Sequence, residues 1–255
     1  MEGLLFVTVK SQSLRGRADI TLFAPEEAKQ RMDVPLVILL HGVYNSHWAW
    51  ALKGGAHRTL QRMVRSEEIP PMALAMPSDG LWGDGSGYVP HSQQNFEEWI
   101  ANEVPAAACE SMPCISERSP LFLNGLSMGG FGALRIGAKY PDRFLTFAGH
   151  SSITHLDQMK KFTEEDFAIV GVAEENRSVL ETVLRKADRL RPFRFDCGSS
   201  DILIEENREL HQKLLQNGIA HEFEEFPGGH EWPYWELHLE DALRFFTRML
   251  KAQKA

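Results

Sequence analysis

Leu121-Phe122-Leu123-Asn124-Gly125-Leu126-Ser127-Met128-Gly129-Gly130 is a short apolar run that closes on a glycine-flanked serine and leads directly into a helical pattern over residues 130–139. Residues 121–124 read as a strand. A strand that turns abruptly into a helix forces the residue between them into a strained backbone conformation and pushes its side chain clear of the chain. Glycines two residues either side of Ser127 leave space for that turn. The helix behind it directs its N-terminal amides, and the positive end of its dipole, toward the place where negative charge develops when the hydroxyl attacks. Ser127 is therefore the candidate nucleophile.

Outward from this turn the chain alternates between two periodicities. Residues 4–9 and 18–23 alternate as strands around a polar turn at 11–16, and Leu36–Leu40 is apolar at every position, as a strand covered on both faces must be. Residues 72–76, 144–148, 193–196 and 222–226 read as further short strands. Helical patterns fall between them at 59–66, 96–108, 130–139, 204–216 and 235–250. Strand and helix in alternation predict an α/β fold: a mostly parallel central sheet of about eight strands, flanked by helices on both faces, with right-handed crossovers. No composition shift divides the chain, so residues 1–255 are expected to form a single domain. Two stretches, 78–93 and 151–177, are longer than connections in compact domains usually are and are expected as loop insertions around the site.

A serine hydroxyl is a poor nucleophile unless a base takes its proton, and a nucleophile on a strand-to-helix turn is followed along the chain by an acid and then a histidine. His211 and His238 fall inside helical patterns and His221 opens a strand. His230 instead lies in Pro227-Gly228-Gly229-His230-Glu231-Trp232-Pro233, between the last strand and the last helix, where two glycines let an imidazole reach over the sheet edge. For the acid, Asp201 lies past the end of the strand at 193–196, where ligand-facing groups collect, while Asp196 at the strand's end stays open as the alternative. The developing oxyanion needs two donors: the amide of Met128, directly after the nucleophile, and the amide of Val43 in His41-Gly42-Val43, after the third strand. Tyr44, Trp48, Trp82 and Trp232 are concentrated in loops expected to ring the site and are candidate substrate contacts, since aromatic walls offer apolar area with few rotamers. Trp235, at the helix start, reads as core.

The 255 residues carry a formal net charge of -8, against the clustered basic surface that nucleic-acid binding needs. No apolar stretch is long enough for a membrane helix, and residues 1–10 already alternate as a strand, which leaves no room for a signal peptide. A cytoplasmic location is expected. Cys109, Cys114 and Cys197 show no metal-like spacing and are expected as reduced thiols. His230, Glu231 and His238 do not form a zinc-binding helix, because the spacing is wrong and Pro233 interrupts it, so no metal is expected.

Taken together, Leu39-Leu40-His41-Gly42, Gly125-Leu126-Ser127-Met128-Gly129-Gly130, Cys197-Gly198-Ser199-Ser200-Asp201 and Gly228-Gly229-His230 make the chain resemble the esterase family of α/β-hydrolases. That family includes S-formylglutathione hydrolase, tributyrin esterases, feruloyl esterase domains and the mycolyltransferases. The likeness spans nearly the whole chain and is greatest to compact tributyrin-esterase-like members. It implies an α/β-hydrolase fold, a triad of Ser127, Asp201 and His230, oxyanion donors at Val43 and Met128, and no cofactor. The expected activity is hydrolysis of short-chain carboxylic esters through an acyl-enzyme. Acyl transfer to a sugar or small alcohol, thioester cleavage and a non-catalytic binding module are the alternatives. Residues 44–50 lack the Leu-Thr-Cys pattern of S-formylglutathione hydrolases, which disfavours that activity. The expected partner is a small-molecule ester, with no nucleic acid and no membrane, and the aromatic loops leave a homo-oligomer open.

Overall fold

The computed structural model describes residues 3–167 and 171–254; Met1, Glu2, residues 168–170 of the second insertion and Ala255 lie outside the described residues. The sheet contains β1 (Leu4–Ser11), β2 (Gly16–Phe23), β3 (Leu36–Leu40), β4 (Ala73–Pro77), β5 (Leu121–Leu126), β6 (Thr146–His150), β7 (Phe193–Gly198) and β8 (Glu222–Phe226). Their spatial order is β1-β2-β4-β3-β5-β6-β7-β8. The β1–β2 and β2–β4 pairs are antiparallel, and every pairing from β4 to β8 is parallel.

Helices α1 (Glu26–Lys29), α2 (Ala49–Leu52), α3 (Ala56–Arg65), α4 (Phe96–Glu98), α5 (Val104–Ser111), α6 (Met128–Lys139), α7 (Val179–Arg185), α8 (Ile204–Gln216) and α9 (Trp232–Lys254) complete the chain. On one face, Leu60 and Met63 of α3 and Leu239, Leu243 and Phe246 of α9 pack on Val37, Leu39 and Phe122. The rings of Phe122 and Phe246 stack with centroids 4.9 Å apart. Burying one such side chain contributes about 1.5–3 kcal/mol. On the other face, Val104, Phe131, Leu134, Val183 and Leu210 cover Leu36, Ile38, Leu123 and Phe147. Double coverage is why β3 is apolar at every position.

Several elements differ from the sequence reading for local reasons. The helical pattern at 96–108 becomes α4, a π-helical turn at Trp99–Glu103 and then α5. Pro105 has no N–H to give the carbonyl of Ala101, and the Arg143 guanidinium takes that carbonyl instead, at 3.1 Å. The strand expected at 144–148 sits two residues later, because Phe144 still belongs to the exit from α6, its amide bonded to Tyr140 O at 3.3 Å. Helix α9 starts at Trp232 rather than 235, with Pro233 in its first turn, where no N–H is required. The stretch 151–177 holds two 3-10 turns, Leu156–Lys161 and Glu174–Asn176. Among the described residues, no helix is long and apolar enough to cross a membrane.

After β3 the chain lays β4 on one side and β5 on the other. That reversal leaves a crevice at the carboxyl ends of the parallel strands, where α/β sheets bind ligands. The turns after β3, β5 and β7 open onto it.

Candidate active site

Ser127 sits between β5 and α6 with φ 55° and ψ -119°, a conformation that costs a residue with a Cβ of order 1–3 kcal/mol. The strain is held by hydrogen bonds on both sides: its N–H donates to His150 O at 2.9 Å, and its carbonyl accepts from Phe131 N–H at 3.1 Å. The flanking glycines are required by space. A Cβ on Gly125 would lie 2.1 Å from Gly129 O, and one on Gly129 would lie 2.3 Å from Leu40 O. A Gly129→Ala substitution must therefore push α6 away from β3. It is expected to cost about 1–3 kcal/mol of stability and to displace Ser127, read as a lower melting temperature together with a fall in kcat.

The other two residues reach the serine from β7 and from the loop before α9. Asp201 follows β7 through a turn in which its N–H donates to Gly198 O at 2.9 Å, and Ser200 N–H donates to Gly228 O, also at 2.9 Å. A Cβ on Gly198 would lie 2.4 Å from Gly228 O, so the two loops touch backbone to backbone. This contact brings His230 over Ser127. His230 Nε2 lies 2.9 Å from Ser127 Oγ, and His230 Nδ1 lies 3.0 Å from each oxygen of Asp201. Asp201 Oδ1 also accepts from Leu203 N–H at 2.8 Å. Burial by itself would raise the Asp201 carboxyl, but the hydrogen bond and charge of His230, with the Leu203 amide, outweigh it and hold the group below the usual carboxylate range. The His230 ring is sandwiched by Phe162, stacked at 5.5 Å, and Trp235, edge-on at 5.0 Å.

Val43 follows β3 beside this group, and a Cβ on Gly42 would lie 3.3 Å from Ser127 Cβ. Among the described residues no hydrogen bond engages the amides of Val43 or Met128, and Met128, in the first turn of α6, has no partner within the helix. The loop after β3 is braced from behind. His41 Nδ1–H donates to Gly42 O at 2.7 Å, and Asp79 N–H donates to His41 Nε2 at 3.1 Å, an arrangement that requires the neutral ring. Complete burial, which lowers the pKa of His41, favours the same form. The Asp79 carboxylate accepts from Leu81 N–H and Ser86 N–H and so shapes the 78–93 insertion, whose Asp84 carbonyl accepts from Tyr44 N–H at 2.8 Å.

Asp196, the alternative acid, faces a different histidine. Its carboxylate takes His150 Nδ1 at 2.9 Å, Arg194 at 3.1 Å and the Tyr234 hydroxyl at 2.9 Å. This network is wholly buried under α9, and its only hydrogen bond to Ser127 among the described residues is the main-chain one from Ser127 N–H to His150 O, with none to Ser127 Oγ. Of the aromatic candidates, Tyr44 is 64% exposed beside the crevice, Trp48 lies under the Lys53 ammonium, and Trp232 packs edge-on against Trp50 and Trp235. Trp82 instead sits in an aromatic cluster with His91 and Phe167 under its own loop. A space of about 780 Å³ among Asn102, Pro105, Arg118 and Arg143 lies at the opposite end of the sheet, by the start of β5, and contains none of these residues.

His150 and Ser151 are not legible as site neighbours, because only strand register brings them there; Phe162 comes from the 151–177 insertion, whose place around the site is legible but not which of its side chains meets His230. The backbone arrangement is shared with known hydrolases. The solved structure of a ferulic acid esterase superposes with a TM-score of 0.81 and 27% identity, covering 96% of this chain and 98% of that one. An S-formylglutathione hydrolase from Staphylococcus aureus superposes with a TM-score of 0.80 at 16% identity, over 96% of this chain and 98% of that one, which speaks to the fold alone. An acetyl esterase of Caldicellulosiruptor saccharolyticus is 26% identical across 83% of this chain and 82% of its own length. The family model described as putative esterase matches residues 11–246, and the chain belongs to that family of carboxylic ester hydrolases, with an α/β-hydrolase fold.

Proposed function

We propose that the protein hydrolyses short-chain carboxylic esters through an acyl-enzyme on Ser127. The observation that carries this reading is the chain of hydrogen bonds from Ser127 Oγ through His230 to Asp201, with the amides of Val43 and Met128 left without a partner among the described residues. In the first half-reaction His230 Nε2 takes the Ser127 proton as Oγ attacks the acyl carbon, and the carbonyl oxygen gains the negative charge between the two amides. Asp201 holds Nδ1–H on the far side of the ring and stabilises the imidazolium. Collapse breaks the bond to the alcohol oxygen, which leaves with the proton from His230. Water then repeats the attack on the acyl-enzyme, giving its proton to His230, and collapse breaks the bond from the acyl carbon to Ser127 Oγ, which takes the proton back from His230 as the acid departs.

A small acyl group is supported by the acetyl esterase relative, whereas the ferulic acid esterase likeness supports a bulky aromatic one. A panel of p-nitrophenyl esters from acetate to octanoate, with methyl ferulate and a thioester beside them, sets these against each other. The expected result is the highest kcat/KM on acetate or butyrate, a burst of p-nitrophenol, and a fluorophosphonate adduct located by mass spectrometry on the peptide containing Ser127. An adduct on another residue would overturn the mechanism. A preference for octanoate or ferulate would overturn the acyl size while leaving the mechanism standing.

A further inference from the structure

The second insertion approaches His230 through the 3-10 turn Leu156–Lys161. Three residues per turn put positions three apart on one face, so Leu156, Met159 and, at the end of the turn, Phe162 stand in a row. The first two are completely buried in the core, and the amides of Phe162 and Thr163 close the turn by donating to Met159 O at 2.8 and 2.9 Å. An ion pair between Lys161 and Glu206 ties the same turn to α8. Phe162, the third member of the row, is half-buried and lays its ring on the His230 imidazole, with centroids 5.5 Å apart and planes 21° from parallel. The Trp235 ring stands at 89° to the same imidazole. Of the charges on the elements packed about His230, Asp201 alone bonds the ring among the described residues, at Nδ1. Asp157 of the turn is paired with Arg177, Glu165 accepts from Asp84 N–H at 2.8 Å, and Lys160, Glu164 and Glu231 are exposed. What lies on the flat face of the imidazole is therefore an aromatic ring, whose own face is the negative pole of its quadrupole and attracts a cation within about 6 Å.

We propose that Phe162 is a positioning residue for the reaction, its ring holding the flat face of His230 and favouring the imidazolium that forms when Nε2 takes the Ser127 proton; this rests on the roles proposed above for Ser127, His230 and Asp201. The hydrogen bonds to Asp201 and Ser127 act in the plane of the imidazole and leave its tilt about the line joining them free. Contact on the face fixes that tilt. The buried pair Leu156 and Met159 gives the contact a rigid base, since neither can move without opening the core.

The test compares Phe162→Leu, which keeps most of the apolar cover and removes the π face, with Phe162→Tyr, which keeps the face. Without the face the imidazolium is less favoured and the ring gives up its proton more readily. The acid limb of kcat/KM for p-nitrophenyl acetate is therefore expected to move to lower pH, by about 0.4–0.7 in pH, in the leucine variant. Its kcat is expected to fall about 2- to 5-fold with KM nearly unchanged, the rate equivalent of the same interaction, and labelling of Ser127 by a fluorophosphonate slows in parallel. Phe162→Tyr is expected to keep the wild-type limb and kcat. A loss of folded protein would lower kcat without moving the limb, and a role confined to excluding water would move it the other way, because an imidazole opened to water takes up its charge more readily. A limb that stays in place or moves to higher pH in Phe162→Leu, or a tyrosine variant as impaired as the leucine one, overturns the proposal. Full turnover in Ser127→Ala would instead overturn the mechanism on which it rests.

Discussion

Ser127→Ala is expected to lower kcat for p-nitrophenyl acetate by about 10⁴- to 10⁶-fold, the range found when a nucleophile that acts with its base as a unit is removed. In the proposed mechanism the hydroxyl is the atom that bonds the acyl carbon, so no neighbour replaces it. The substitution leaves the turn itself intact: an alanine at φ 55° carries the same backbone strain as the serine, and the bonds to His150 O and Phe131 N–H are made by main-chain atoms. The melting temperature is therefore expected to stay within a few degrees of wild type, which separates lost chemistry from lost fold. A residual rate above the uncatalysed reaction is expected to persist, because the oxyanion donors proposed at the Val43 and Met128 amides would still polarise the substrate carbonyl. Adding His230→Ala to Ser127→Ala is expected to cost almost nothing more, since the base has nothing left to deprotonate. Kinetics of the two single variants and the double variant check this. A double variant slower than Ser127→Ala by another thousandfold would mean that His230 works with some other nucleophile.

The strand-to-helix turn at Ser127 could be read in one dimension because its constraints are local. Gly125 and Gly129 are dictated by backbone contacts within four residues and with the neighbouring β3, and the apolar run before them has the period of a buried strand. Asp201 and His230 were legible by chain order, and the contact of Gly198 with Gly228 explains why each loop has a glycine at that point. What could not be read depends on register across the sheet. His150 meets Asp196 because β6 and β7 pair with those residues opposite one another, and nothing in the local sequence around either residue distinguishes that outcome. Trp82 is a different case: a lone aromatic among glycines reads as a rim that touches ligand, and in the fold it is half-buried, edge-on to His91 of its own insertion and to Phe167, which is distant in sequence. The π-helical turn before α5 likewise depends on Arg143, some forty residues on, taking the carbonyl that Pro105 leaves free.

Glu97→Gln is expected to destabilise the protein by about 3–5 kcal/mol, the cost of removing one partner from a buried ion pair. Glu97 in α4 is 1% exposed and pairs with Arg135 of α6, which is fully buried, with Lys139 at 2.8 Å and with the Tyr140 hydroxyl at 2.6 Å. Arg135 also donates to Tyr88 O at 2.6 Å, so this one carboxylate ties α4, the first insertion and the helix that carries Ser127 at its start. Glutamine keeps the shape but leaves the Arg135 charge in the interior with no anion. At about 2–4 °C per kcal/mol for a protein of this size, the melting temperature is expected to fall by about 6–20 °C. Burial alone would raise the Glu97 carboxyl, but Arg135, Lys139 and Tyr140 outweigh it and hold it below its ordinary value. A carboxyl lowered in the folded state gives stability that is complete above its unfolded value, about 4.3, and is lost as pH falls through the folded one. The gap in melting temperature between wild type and Glu97→Gln is therefore expected to be full at neutral pH and to narrow as the pH falls below about 4. Replacing Arg135 by Met in the glutamine variant removes the stranded charge and is expected to recover part of the loss, since an apolar substitute for a whole buried pair is often neutral. Thermal unfolding of the three variants across this pH range measures all of it. A gap that stays constant down to pH values of about 3, or a double variant less stable than Glu97→Gln, would place the energetic weight of this cluster in packing rather than in charge.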